Sequence, residues 1–345
     1  MIDTETSQMF AEAQDASAAV ARQASNLASS LSALAEQLRT LAPGIIFTCA
    51  RGSSDHAASY AKFLFETCLG IPTVSQAPSI SSIYKATLAH VARAPFLVIS
   101  QSGRSPDLLL SAEAARDAGA LVIALVNDVQ SPLAHIAHVV IPIDAGPEKS
   151  VAATKSYICT LSAIARLVAE WANDRTMKQA VDMLPDRLAQ AWNLDWSGAI
   201  APLSRPDGLF VLGRGPTLAI AQEAALKFKE TCGLHAEAFS IAEVAHGPMA
   251  LVGPDFPVLI FPPSDSGAAG LDGLMATLAR QQAPLLIAGQ GHGAAASLPV
   301  IPDMHPNVAP IALIQSCYRM VNALSLSRGL DPDRPPLLNK VTQTR

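Results

Sequence analysis

Phe96-Leu-Val-Ile-Ser100-Gln-Ser-Gly-Arg-Ser105-Pro106 is an apolar run that opens into a polar, glycine-bearing loop and then meets a proline suited to the first turn of a helix. It reads as strand, loop, helix. Other apolar runs, Ile45-Ile46-Phe47, Leu121 to Val126 and Val139 to Ile143, are separated from it by helical stretches. That alternation is the signature of a parallel sheet covered by helices on both faces. The order then returns: Leu209-Phe-Val-Leu stands 164 residues after Ile45, Phe256-Pro-Val-Leu-Ile 160 after Phe96, Leu285-Leu-Ile 164 after Leu121, and Pro299-Val-Ile-Pro 160 after Val139-Val-Ile-Pro. The chain carries an internal duplication. We expect a helical segment over 1–42 closed by Pro43-Gly44, an α/β domain over 43–170, a helical linker over 171–204, a second α/β domain over 205–328 and a tail over 329–345.

With 345 residues, half of them hydrophobic and 15% charged, the chain can bury two substantial cores. Its net charge of −5 has no basic patch, and aromatics make up only 5%, which argues against a nucleic-acid groove and for small-molecule work. Cys49, Cys68, Cys159, Cys232 and Cys317 are odd in number and scattered without a C-x-x-C pair, so neither a disulfide framework nor a zinc site is expected. Asp3, Glu5, Glu12 and Asp15 occupy the start where a signal peptide would be basic and then apolar, and no apolar stretch is long enough to span a membrane. A cytoplasmic protein is the expectation.

Two loops of the first repeat have the composition of anion cradles. One is Gly52-Ser53-Ser54 after the first strand, and the other is Ser100-Gln101-Ser102-Gly103-Arg104-Ser105. Free amides at a helix start, together with hydroxyls, bind phosphate; the plainer alternative is an ordinary capped turn. The equivalent loop of the second repeat, Pro262-Pro263-Ser264-Asp265-Ser266, carries an acid and suits phosphate poorly. Phosphate is therefore expected in the first domain, with the second supplying chemistry.

That chemistry is sought in 213–248. Glu223, Lys227 and Glu230 fall at i, i+4 and i+7 and line one stripe of a helix. The stripe reads either as exposed ion pairs or as two carboxylates and an ammonium aimed into one place. A downstream loop is expected to add His235, Glu237, Glu243 and His246, the last beside the turn-forming Gly247-Pro248. His246 reads either as structural or as an acid/base working near neutral pH. Gly213-Arg-Gly215 lacks the third glycine of a dinucleotide fingerprint because position 218 is Leu, and no Walker A sequence occurs, so no nucleotide cofactor is expected. His135-Ile-Ala-His138 has a metal-like spacing but no carboxylate or cysteine neighbour, and reads as structural, with no metal expected.

Taken together, these residues resemble the sugar isomerase (SIS) domain pair found in glucosamine-6-phosphate synthase and its deaminase relatives. The likeness rests on Gly52-Ser53-Ser54, Ser100-Gln-Ser-Gly103, Ala145-Gly-Pro-Glu-Lys-Ser-Val-Ala-Ala-Thr-Lys155, Glu223 to Glu230, His235-Ala-Glu-Ala238, His246-Gly-Pro248 and Leu338-Asn-Lys340-Val-Thr, and spans nearly the whole chain. It implies two tandem flavodoxin-like SIS domains, a homodimer with shared active sites, and a hexose or aminohexose 6-phosphate substrate. Under the resemblance Ser53, Ser54, Ser100, Gln101, Ser102 and Ser105 match phosphate-binding positions, and Val151 and Ala153 sugar-binding ones. Glu230 matches the base that moves a proton between C1 and C2, His246 the ring-opening residue contributed by the neighbouring subunit, and Lys340 the tail lysine that forms an imine. Lys227 and Glu223 match their charged neighbours.

Departures from the pattern shape the expected reaction. The synthase begins with a glutaminase domain headed by a nucleophilic cysteine, whereas this sequence starts Met1-Ile2-Asp3, and no ammonia from glutamine is expected. Arg104 replaces an acid, Arg51 precedes the first glycine, and the tail is one residue shorter after Lys340. Both arginines are expected to add positive charge near the phosphate. The resemblance then points to glucosamine 6-phosphate converted to fructose 6-phosphate and ammonia. A related phosphosugar isomerase or a fructosamine-6-phosphate deglycase is the alternative. A non-catalytic sugar-phosphate sensor is disfavoured because Glu230, His246 and Lys340 are kept and no basic module is present.

Overall fold

The structure is a computed structural model and describes residues 7–290 and 295–340. Asp3, Glu5 and the tail beyond Lys340 lie outside the described residues. The strands are β1 Ile46–Cys49, β2 Thr73–Ser75, β3 Pro95–Ser100, β4 Leu121–Val126, β5 Val139–Pro142, β6 Gly208–Gly213, β7 His235–Ser240, β8 Val258–Ile260, β9 Leu285–Ala288 and β10 Ala296–Leu298. They form two five-stranded parallel sheets, ordered β2-β1-β3-β4-β5 and β10-β9-β8-β6-β7. Numbered within each repeat, both sheets run 2-1-3-4-5, the doubly wound flavodoxin-like order. Every residue of β1, β3, β8 and β9 is buried, as a sheet covered on both faces requires.

One unit comprises residues 18–148 and 155–182 with Asn339 and Lys340. Its core joins Phe47, Phe96, Val98 and Val122 of the sheet to Leu108 and Ala112 of the helix Pro106–Asp117. Gln23, wholly buried on the helix Ala16–Leu41, donates through Nε2 to the carbonyls of Ile143 and Cys159 at 2.7 and 2.8 Å. The other unit comprises residues 7–17, 149–154 and 183–338. Phe210, Leu212, Val258 and Ile260 pack there against Leu274 and Leu278 of the helix Leu271–Arg280. The helix Gln8–Gln14 is held within that unit: Asp333 accepts the amides of Gln8 and Met9 at 2.7 Å each, and Gln315 donates to the Ala13 carbonyl at 2.9 Å. Each fully buried Leu, Ile, Val or Phe contributes about 1.5–3 kcal/mol, which offsets a backbone ordering cost of about 1–2 kcal/mol per residue.

Two local expectations change. Pro299-Val-Ile-Pro is not the last strand of the second repeat. Strand β10 ends at Leu298, and its residues Ala296, Ser297 and Leu298 pair with Leu286, Ile287 and Ala288. A proline has no amide to donate, so the ladder stops before Pro299. The segment containing His235 and Glu237 is strand β7 and not a loop. It lies at the sheet edge beside β6, where a polar, partly exposed strand is tolerated.

Candidate active site

In a 2-1-3-4-5 sheet the chain leaves β1 in one direction and β3 in the other, so a crevice opens at their carboxyl ends. Both serine-rich loops lie there in the first repeat. Gly52 takes φ 55° and ψ −134°, a conformation closed to other residues, and thereby starts the helix Ser53–Cys68 directly after the turn. In the second loop the Ser100 hydroxyl accepts the Gly103 amide at 3.1 Å, and the Ser102 hydroxyl accepts the Arg104 amide at 3.3 Å. Gly103 has φ 61°, and a Cβ there would lie 2.2 Å from the Ser131 hydroxyl. The loop is thus moulded by Ser100, Ser102 and Gly103. The hydroxyls of Ser54 and Ser105 and the carboxamide of Gln101 have no hydrogen-bond partner among the described residues, and Ser105 leaves its own helix uncapped.

Each of the two arginines is anchored to a carboxylate. Arg104 is paired with Asp128 at 2.7 Å, and that hydrogen bond holds the Asp128 carboxyl below the usual carboxylate range. Arg51 donates through Nε to Asp107 at 3.0 Å. Cys49, just before it, is inert at neutral pH because burial pushes its thiol up to about 12.

The second repeat builds the same turn and closes it. Gly215 repeats the geometry of Gly52 at φ 61° and ψ −137°. The next residue is Pro216, which lacks an amide, and the Thr217 hydroxyl is occupied by the Arg214 amide and carbonyl at 2.9 and 3.0 Å. A Cβ on Gly213 would lie 2.3 Å from the Thr217 carbonyl, so this glycine serves close strand-to-helix packing. Asp265 caps the Gly267 amide at 2.8 Å in the loop after β8. The first of these turns is closed by Pro216 and Thr217, and the second sets a carboxylate among its serines, which suits an anion poorly.

Helix Pro216–Cys232 carries the charged stripe, and its inner part is no solvent face. Glu223 and Lys227 have side-chain exposures of 0% and 1%, whereas Glu230 keeps 19%. Lys227 Nζ lies 3.3 Å from Glu223 and 2.5 Å from Glu230. The buried Tyr318 hydroxyl, from the helix Ala309–Ser327, donates to Glu223 Oε1 at 3.1 Å. Burial works against the Lys227 ammonium, yet Glu223 and Glu230 outweigh it and hold its pKa above the ordinary lysine range. Lys227 therefore stays charged and cannot act as a base. The array runs Tyr318, Glu223, Lys227, Glu230 from the core outward and ends in a carboxylate that solvent or a ligand can reach. Tyr318 escaped the sequence reading because it comes from a helix 95 residues away.

Lys340 donates to Glu148 Oε2 at 3.2 Å, and the Glu148 side chain is fully buried. Ser156 gives Glu148 both its amide, at 3.1 Å, and its hydroxyl, at 2.6 Å. Glu148 stands within a sequence motif that gave it no role; the signal was an acid between Gly146-Pro147 and Lys149. Val151 and Ala153 are half-buried on a segment fixed by Glu12, which accepts the amides of Lys149 and Ser150. His246 is exposed, with neither a hydrogen bond from its ring nor an ion pair among the described residues. His235 is 78% exposed and stands 3.8 Å from Glu237, a weak surface pair. Glu243 is exposed at a short helical turn. His138 Nδ1 accepts the Val122 amide at 3.1 Å, and the His135 ring bonds the Ser131 carbonyl at 2.9 Å, so both serve the fold. No helix among the described residues is long and apolar enough to cross a membrane.

Comparison with known proteins agrees with this architecture. Among curated relatives, the glutamine–fructose-6-phosphate aminotransferase (isomerizing) of Brucella abortus is 30% identical over 306 residues, which is 84% of this chain and 50% of that protein. The enzyme of the same name from Methanothermobacter thermautotrophicus is 33% identical, with 84% and 50% covered. The chain thus spans about half the length of these relatives. A solved structure of a candidate phosphosugar isomerase from Silicibacter pomeroyi is 41% identical, with a TM-score of 0.90 over 95% of this chain and 100% of that one. The glucosamine-6-phosphate deaminase of Thermotoga maritima shares the fold alone, at 21% identity and a TM-score of 0.80 over 98% and 100%. The profile of the SIS domain matches residues 43–169 and 203–327, and the chain belongs to that family.

Proposed function

We propose that the protein is a phosphosugar enzyme that moves a proton between C2 and C1 of an amino-hexose 6-phosphate, converting glucosamine 6-phosphate and water to fructose 6-phosphate and ammonia. The observation that carries this reading is the Glu230 carboxylate, held against a lysine that must stay protonated and left partly open. One carboxylate can take a proton from one carbon and return it to the next. In the open-chain substrate Glu230 removes the C2 proton and delivers it to C1, which leaves an imine at C2; water then adds and ammonia departs. The Lys227 ammonium, 2.5 Å from Glu230, supplies a fixed positive charge that steadies the oxyanion developing as the proton moves. Ser54, Gln101 and Ser105 supply donors to the phosphate, with Ser53 beside them. We assign Lys340 to the alternative route for the last step: its amine, giving a proton to Glu148, adds to the C2 imine and displaces ammonia, and water then hydrolyses the lysine imine to the ketose.

The amino sugar is favoured because the curated relatives are named for an amino transfer joined to an isomerisation. A plain aldose–ketose isomerase is the second reading, supported by the likeness to the Silicibacter pomeroyi structure. A panel of hexose and aminohexose 6-phosphates, assayed for ammonia and for ketose with and without glutamine, separates the two. Glucosamine 6-phosphate is expected to yield both products without glutamine. Ketose from non-amino sugars alone would establish the isomerase.

We assign His246 to ring opening at the site of a second copy of the chain. It is exposed and stands on the Gly247-Pro248 turn, where Gly247 has φ 127°. Inactive Glu230→Gln and His246→Ala homodimers, mixed and allowed to exchange, should regain about a quarter of wild-type activity, since about half the dimers are mixed and each holds one intact site of two. No recovery, with exchange confirmed by mass, would show that His246 acts within its own chain.

A further inference from the structure

Both repeats place an Arg-Gly pair at the end of their first strand, Arg51-Gly52 and Arg214-Gly215, with the same glycine geometry. Their guanidinium groups have different occupations. Arg214 spends a terminal nitrogen on the Ala269 carbonyl, 3.1 Å away, beside a first turn already closed by Pro216 and Thr217. Arg51 is anchored through Nε alone, to Asp107 Oδ2 at 3.0 Å. Asp107 is 1% exposed and is itself fixed, because its Oδ1 accepts the Leu108 amide at 2.9 Å. The two terminal nitrogens of Arg51, with four N–H groups, have no hydrogen-bond partner among the described residues, and the side chain is half-exposed at 52%. Asp107 is the second residue of the helix entered from Ser105, so the Arg51–Asp107 pair spans both serine-rich loops. A guanidinium held by one edge and open at the other is arranged for forked hydrogen bonding to a phosphate.

We propose that Arg51 is a ligand of the substrate phosphate and that Asp107 is its positioning residue. The proposal rests on the reading of these loops as a phosphate cradle and adds its cation. Arg104 does not fill that part in the same way, because one of its terminal nitrogens is already spent on Asp128 at 2.7 Å, whereas Arg51 is held through Nε. Asp55, in the first turn beside Ser54, would oppose an anion. Burial raises its pKa above the usual carboxylate range, with His56 and Arg51 pulling the other way, and a cation at Arg51 offsets what charge it keeps.

Isothermal titration of inorganic phosphate into the full-length protein tests this. The wild type should bind, Arg51→Gln should weaken binding at least tenfold, and Arg51→Lys and Asp107→Asn should fall between, since each keeps the charge and loses the fork or its anchor. With sugar phosphate, Arg51→Gln should raise KM by a similar factor at nearly unchanged kcat, because a phosphate contact persists from ground state to transition state. If Arg51 were only a brace between loops, Arg51→Gln and Asp107→Asn would lower the melting temperature alike and leave phosphate affinity within twofold, which would overturn the proposal. Arg51→Lys guards against a misfolded glutamine variant, and affinity equal to wild type in that variant would also count against the fork. A wild type that binds no phosphate would instead remove the cradle reading and this proposal with it.

Discussion

Glu230→Gln should bind sugar phosphate as the wild type does and lose turnover by about 10²–10⁴-fold, the usual contribution of a positioned acid/base. The amide keeps the shape of the side chain, and its oxygen can still accept from Lys227, now 2.5 Å from the carboxylate. What it cannot do is carry a proton from C2 to C1. Because that loss is confined to the transition state, kcat falls while KM stays near its original value. Activity within tenfold of wild type would remove Glu230 from the role.

Lys227→Met should be the most destabilising single change in the array. It leaves the Glu223 carboxylate, with no side-chain exposure, without the ammonium 3.3 Å away, and the Tyr318 hydroxyl that donates to it carries no compensating charge. Removing one member of a buried ion pair costs about 3–5 kcal/mol, because the remaining charge stays out of water. For a unit of this size the melting temperature should fall on the order of 10 °C. The double variant Lys227→Met, Glu223→Gln should recover much of that loss, since the carboxylate that then lacks its ammonium, Glu230, is partly exposed. Additive losses in the double-mutant cycle would show that Glu223 and Lys227 do not interact as drawn.

How much of this could be read in advance follows physical lines. The duplication was visible because strand cores must be apolar whatever packs on them, so β1, β3, β4 and β5 and their later counterparts stand out as spaced runs. Parallel order then placed the loops after β1 and β3 side by side. The stripe at Glu223, Lys227 and Glu230 follows from helix periodicity alone, but its burial does not: exposed ion pairs and a buried array have the same spacing. Burial is decided by the helix Ala309–Ser327, which brings in Tyr318. Asp107 reads in sequence as an acid in a helical first turn, and only the fold shows it holding Arg51. Pro299 misled in the opposite direction: a similar string of residues recurs, but the missing amide ends the strand just before it.

The most direct test follows the proton itself. Glucosamine 6-phosphate deuterated at C2 should give ammonia and fructose 6-phosphate in equal amounts, with part of the label found at C1 and the rest lost to water through exchange on Glu230. The same substrate with Glu230→Gln should give neither product above background. Failure of the wild type to form ketose, or label retained at C2 with ammonia released, would contradict a carboxylate shuttle between the two carbons.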